Sequence, residues 1–128
     1  MKTREDLSFE IDFVEDIFRR DPNDFTVVEL LANLYTKAGQ IDQGLKLDRR
    51  LVKLQPANPM AHYNLACSLA LKENADTALQ SLRTAIAHGY ADWDWLLKDP
   101  DLTNLHSHPE FHAILIENGR EGVQPHRG

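Results

Sequence analysis

Residues 31–35 have the sequence Leu-Ala-Asn-Leu-Tyr, and residues 65–69 have the sequence Leu-Ala-Cys-Ser-Leu. The Leu-Ala pair thus recurs at a sequence offset of 34, and the same offset places Pro22 on Pro56 without a gap. We call this spacing the repeat offset. Self-similarity at one fixed period is the signature of repeat proteins, in which each unit is a small supersecondary element that stacks on the next. The repeat offset therefore predicts a repeated unit of this length.

Apolar residues follow a helical period along most of the chain. Leu7, Ile11, Val14 and Phe18 recur at steps of three and four residues, and similar stripes occupy each later segment, whereas alternating strand patterns are nearly absent. The fold class is therefore expected to be all-α, with short connections that make neighbouring helices antiparallel. The expected helices lie near residues 5–20, 24–38, 41–54, 59–72 and 75–88.

The residues between these stripes are typical helix ends. Asp24 follows a proline turn and is a suitable N-cap for the second helix, and Asn58 has the same role before Pro59, which is tolerated in a first helical turn. Gly39 is suited to the left-handed conformation that commonly ends a helix. The sequence therefore predicts helix-turn-helix pairs.

Small residues occur where the two helices of one unit should cross closely. Ala32 and Gly44 occupy these positions in the first unit, and Ala66 and Ala78 occupy them in the second. With the repeat offset and the turn positions, this spacing resembles the tetratricopeptide repeat (TPR). The resemblance implies helix-turn-helix repeats stacked as a short right-handed superhelix, with a concave groove that binds peptides.

We expect a single TPR-like domain over residues 1–118, and a flexible tail over residues 119–128. Its parts are a leading helix (5–20), a first repeat (25–58), a second repeat (59–92) and a C-terminal cap (93–118) that resembles the segment following TPR arrays in many bacterial proteins. The sequence departs from the family pattern at four positions. Val28 and His62 stand where the early tryptophan is usual, Asp48 replaces the usual aromatic residue of the second helix, and Tyr90 replaces the closing proline.

Composition limits the possible function. The chain has 128 residues, 42% of them apolar, and a formal net charge of −6. This charge argues against general binding of nucleic acid or anionic membranes, and the basic pair Arg49-Arg50 has Asp48 beside it, as expected of a solvated helix face. One cysteine, no signal-peptide pattern and no membrane-spanning stretch favour a cytoplasmic protein.

The resemblance implies a protein-interaction module without enzymatic activity or cofactor, whose partner is an unknown protein or peptide. Trp93 is expected to extend the groove at its open end, and Trp95 to anchor the core of the cap. The alternative is a structural homo-oligomer, such as a homodimer, whose groove is filled by a second copy. The candidate groove residues are Thr26, Glu29, Asn33, Lys37, Met60, Tyr63, Asn64, Cys67, Leu71 and Trp93.

Other features could carry chemistry. His106, His108 and His112 have a spacing that can hold zinc or nickel, but no further ligand completes a site, and we expect no metal. Cys67 has no basic neighbour in sequence and is expected to be a packed or groove-lining thiol. Asp48 and His62 either meet and form a hydrogen bond or each turn to solvent, and the sequence leaves both alternatives open.

Overall fold

The computed structural model describes residues 3–120, and within this range the chain is all-helical, without strands. Each of the five long helices begins and ends within one residue of the predicted bounds. The elements in chain order are α1 (Arg4–Arg20), α2 (Phe25–Lys37), α3 (Ile41–Leu54), α4 (Pro59–Leu71), α5 (Ala75–Ala87), α6 (Trp93–Lys98), a 3-10 helix (Pro100–Leu105) and α7 (Pro109–Glu117).

Local side-chain contacts explain where the helices start. The Asp24 side chain accepts a hydrogen bond from Val27 N at 3.2 Å, and the Asn58 side chain accepts one from Met60 N at 2.9 Å. Both groups satisfy backbone donors that have no partner inside the helix. The two predicted N-caps are confirmed.

The helices pack in adjacent pairs from α1 to α5, which gives the all-α repeat fold that the sequence predicts. Helix α4 is central because it contacts α3, α5 and the 3-10 helix, and nine of its 13 residues are buried. A helix that is apolar on all sides is typically enclosed by its neighbours.

The crossing of α2 and α3 depends on Gly44. A Cβ atom at this position would lie 2.6 Å from Thr36 Oγ1 and 3.2 Å from the carbonyl oxygen of Ala32. The two backbones therefore approach more closely than a side chain at position 44 would allow. This close approach explains why a small residue is needed at the predicted crossing.

The C-terminal segment covers the second repeat. Leu102, Leu105 and Phe111 are fully buried, in the same core cluster as residues of α4 and α5. On the surface, Arg83 of α5 pairs with Glu110 and Glu117. Of the predicted tail, Gly119 and Arg120 are described, and residues 121–128 lie outside the described range.

Candidate functional site

A cleft of about 280 Å³ lies between the two repeats and the C-terminal segment. Its walls come from α2, α3, α4, α6 and the start of the 3-10 helix. We call it the interrepeat cleft. It is lined by Asn33, Thr36, Asp48, Met60, Tyr63, Asn64, Cys67, Ser68, Trp95, Asp99 and Asp101.

The structure brings half of the predicted groove residues into this cleft. Asn33, Met60, Tyr63, Asn64 and Cys67 line it, and they come from α2 and α4. These are the first helices of the two repeats.

The other predicted groove residues lie elsewhere. Glu29 is adjacent to the cleft, since its Oε2 accepts a hydrogen bond from Asn64 Nδ2 at 3.1 Å. Thr26 is exposed near the start of α2, Leu71 is half-buried at the end of α4, and Lys37 lines a different cleft, between α1 and α2. None of these four residues lines the interrepeat cleft.

The two tryptophans have exchanged the places that the sequence suggested. Trp95 lines the cleft with 49% of its surface exposed, so it is not a core anchor of the cap. Trp93 is half-buried against the core, and the Arg120 guanidinium lies 5.1 Å from its ring centroid. The two rings lie on opposite sides of α6 because a step of two positions turns a helix by rather more than half a turn.

Asp99 organises the inner end of the cleft. It is 4% exposed, and its Oδ2 accepts hydrogen bonds from the Tyr63 hydroxyl at 2.6 Å and from the Cys67 thiol at 3.6 Å. Its Oδ1 accepts a hydrogen bond from Asp101 N at 3.0 Å and caps the 3-10 helix. Tyr63 is 2% exposed, so it serves as a structural wall of the cleft.

These contacts determine the chemistry of Cys67. Burial, and then the charge of Asp99, raise the pKa of the thiol well above its ordinary value. A thiol in such surroundings stays protonated and is a poor nucleophile or metal ligand. The expectation of a packed, cleft-lining thiol agrees with this environment.

Asp48 lies on the opposite wall, where the Ser68 hydroxyl donates a hydrogen bond to its Oδ2. The residue is only 3% exposed. Burial raises the pKa of this carboxyl to about 7, against the effect of the Ser68 hydrogen bond, and the nearby Glu29 charge raises it further. The suggestion that Asp48 turns to solvent is therefore wrong.

His62 is also buried, at 8% exposure, which excludes the solvent-facing alternative for this residue too. Its Nε2 donates to the carbonyl oxygen of Pro56 at 2.6 Å, and its ring stacks on His88 with 5.3 Å between centroids. Asp48 and His62 thus have different hydrogen-bond partners. The pair that the sequence left open does not form.

The three C-terminal histidines do not converge. Within residues 3–120, the only three potential metal ligands with atoms all within 4.8 Å of one another are Cys67, Asp99 and Asp101. The His106 ring lies against Phe111 with 5.3 Å between centroids, and burial lowers the pKa of this imidazole. His108 lies at the start of α7, where its Nε2 is 3.9 Å from Asp76.

Sequence reasoning missed the acidic half of the cleft. The sequence prediction for residues 99–101 did not go beyond their place in the C-terminal cap (93–118). The available signal was the proline between two aspartates, since an aspartate before a proline commonly caps a helix start. An aspartate that caps a helix with one carboxylate oxygen has a second oxygen left for another contact. In Asp99 the second oxygen accepts the hydrogen bond from Tyr63.

Comparison with known proteins gives limited information. No family model matches the chain. An 84-residue alignment, which covers 63% of this chain, is 26% identical to a chloroplastic protein of Arabidopsis thaliana, and it spans only 25% of that protein's length. Among residues 3–120, no helix has the length and apolarity needed to cross a bilayer.

Proposed function

We propose that this domain is a TPR-type interaction module that binds a peptide segment of a partner protein in the interrepeat cleft. The repeat offset, the paired helices and the close crossing at Gly44 support the assignment to this repeat class. The first helices of the two repeats, α2 and α4, supply seven of the eleven residues that line the cleft.

One observation supports the binding site most directly. Met60 and Trp95 line the cleft with 44% and 49% of their surfaces exposed, while the interior carries three carboxylates and no Lys or Arg. Large apolar side chains left exposed beside a polar cavity are typical of interaction sites. Met and Trp also form adaptable, high-area contacts with a partner.

The charge of the cleft indicates the kind of peptide. Asp48 and Asp99 are almost completely buried, and burial together with the Asp99 charge raises the pKa of Asp101. A ligand cation would offset this unfavourable concentration of negative charge. The proposed ligand therefore combines an apolar side chain, packed on Met60 and Trp95, with a Lys or Arg directed at the carboxylates.

Panning of a random peptide library against the purified protein tests this function. The enriched peptides should contain Lys or Arg next to a large apolar residue. Their binding should weaken as salt rises, because screening reduces the attraction of the carboxylates. Met60 and Trp95 are the cleft residues to replace in a double variant. Tyr63 is unsuitable, because it is buried and donates a hydrogen bond to Asp99.

The Met60→Ala/Trp95→Ala variant should bind the enriched peptides about tenfold more weakly, or weaker still, as expected when apolar hot-spot residues are removed. Leu30→Ala/Ile116→Ala is the matched control, since both residues are exposed and lie outside the cleft. Equal binding by the cleft variant, or enrichment of acidic peptides, would contradict the proposal.

A further inference from the structure

A second cleft lies on another face of the molecule, between α1, α2 and α3. It has a volume of about 540 Å³, within the range of about 300–1,000 Å³ that is typical of ligand sites. Its lining shares no residue with the interrepeat cleft. We call it the basic cleft, and it is lined by Phe18, Leu31, Tyr35, Gln43, Lys46, Leu47, Arg49, Arg50 and Lys53.

Its four basic residues lie on one face of α3, because their spacing is three, four and seven residues from Lys46. Arg50 is held in place by hydrogen bonds of 2.8 Å to the carbonyl oxygen of Pro22 and to Asn23 Oδ1. Lys46, Arg49 and Lys53 form no ion pair with any described residue. No carboxylate lines the cleft.

Asp48 does not neutralise this face. Although it precedes Arg49 in sequence, it is buried on the other side of α3, where Ser68 of α4 is its partner. Arg49 is exposed, as expected of a solvated helix face, but the adjacent aspartate does not balance the charge of the arginine pair. The basic side chains remain a concentrated positive patch on a protein whose net charge is −6.

The repeat fold itself does not require these charges. The repeat offset places Gln80, Thr84 and Ala87 of α5 at the positions of Lys46, Arg50 and Lys53. The fourth equivalent residue is Arg83, which forms ion pairs with Glu110 and Glu117. The positive patch is thus a property of α3 alone.

The complementary surface is on α1 of the same molecule. Phe9 and Phe13 are 74% and 62% exposed, on the side of the helix opposite the buried Ile11 and Val14. Their spacing of four residues places both rings on one face. Asp12 and Asp16 lie beside them and are also exposed, and Asp16 forms an ion pair with Arg19 of the same helix.

We infer that two copies of the chain associate through these surfaces, with the Phe9/Phe13 face of one α1 docked in the basic cleft of the other copy. The apolar floor of Phe18, Leu31 and Leu47 receives the rings, and the lysines and Arg49 face the aspartates of α1. The proposed contact is reciprocal: the α1 of each copy occupies the basic cleft of the other copy, so that neither surface of the pair is left free.

This association leaves the interrepeat cleft open, so it differs from an oligomer whose groove is filled by a second copy. It also does not depend on the proposed peptide-binding function, because no residue is shared between the two clefts. Loss of peptide binding with an intact dimer, or the reverse, would separate the two proposals.

Sedimentation velocity over a series of protein concentrations tests the association. The protein should reach a dimer and no larger species, and raising the salt from about 50 mM to about 500 mM should weaken the dimer, since the Debye length falls severalfold. The Lys46→Glu/Lys53→Glu variant and the Asp12→Lys/Asp16→Lys variant should each be monomeric at concentrations where the wild type is dimeric, because each places like charges opposite each other.

An equimolar mixture of these two variants is the decisive sample. Each cleft then meets an α1 of opposite charge, so a mixed dimer should form although neither variant associates alone. The Lys37→Glu/Lys98→Glu variant carries the same charge change at exposed positions outside the basic cleft, and it should dimerise like the wild type. A wild type that is monomeric at every concentration, or a dimer that survives both charge reversals, would overturn the inference.

Discussion

The two repeats of this protein have the same helices but use them differently. In the second repeat, α4 and α5 form the interior of the larger core cluster, enclosed by the C-terminal segment. In the first repeat, α3 presents a positive outer face and directs one carboxylate inward. The second repeat thus provides packing, and the first carries most of the charge that could select partners.

The clearest difference lies at one pair of equivalent contacts. Asp48 and Ser68 form a buried polar pair between consecutive helices, and the repeat offset places Leu82 and Leu102 at the corresponding positions. Both leucines are fully buried. The same architecture therefore accepts an apolar contact or a polar one, and the choice between them is set by the side chains.

The largest expected effect is at Leu82. Replacing this fully buried side chain by alanine should cost about 2–5 kcal/mol of unfolding free energy, from lost burial and the cavity that remains. Asp48→Ala at the equivalent position should cost much less at pH 8, because it also removes a buried charge. Urea denaturation of both variants measures the difference, and equal losses would contradict the contrast between the repeats.

Asp48→Asn should stabilise the protein at pH 8. The pKa of Asp48 is raised to about 7 in the folded state, so the native form prefers the protonated carboxyl and loses stability as pH rises from about 4 to about 7. Asparagine accepts the same Ser68 hydrogen bond without a charge, and the gain should be on the order of 2 kcal/mol.

The gain should shrink towards zero as pH falls to about 4, where the unfolded state also becomes protonated. Denaturation at a series of pH values measures it. Asp94→Asn, at an exposed position, is the matched control and should show no such pH dependence. A gain that is independent of pH would mean that Asp48 ionises normally.

The crossing of α2 and α3 should accept alanine at position 44 only when Thr36 is also replaced by alanine. Gly44→Ala should cost about 1–2 kcal/mol, because the new methyl group meets Thr36 Oγ1. The second repeat has Ala70 and Ala78 at the positions of Thr36 and Gly44. Thr36→Ala should therefore rescue Gly44→Ala, and a double-mutant cycle measures the coupling; strictly additive effects would refute the steric account.

The smallest expected effect is at the turn between the helices of each repeat. Glu73 has φ of 61°, and the repeat offset places it on Gly39, whose φ is 79°. A side chain is strained in this conformation, so Glu73→Gly should stabilise the protein by up to about 1 kcal/mol. Gly39→Ala should cost a similar amount. A Glu73→Gly variant less stable than the wild type would show that contacts of this side chain outweigh the strain.

The sequence was sufficient to predict the helices and their pairing, because periodic apolar residues, caps and the repeat offset are all visible along the chain. It was less informative about the direction of single side chains in irregular segments. Trp95 and Asp99 lie in or after a helix of only six residues, where no long stripe defines a buried face. The place of Asp48 could not be predicted either, because its partner Ser68 is an ordinary helix residue whose direction depends on how α3 packs against α4.

Titration of the isotopically labelled protein with the most enriched basic peptide, followed by NMR, tests the central claim most directly. The account predicts that the shifted amide signals concentrate at Met60, Asn64, Trp95 and Asp101, around the interrepeat cleft, while signals of the basic cleft on α3 stay unchanged. Shifts concentrated at the basic cleft, or spread evenly over the surface, would contradict the assignment of the binding site.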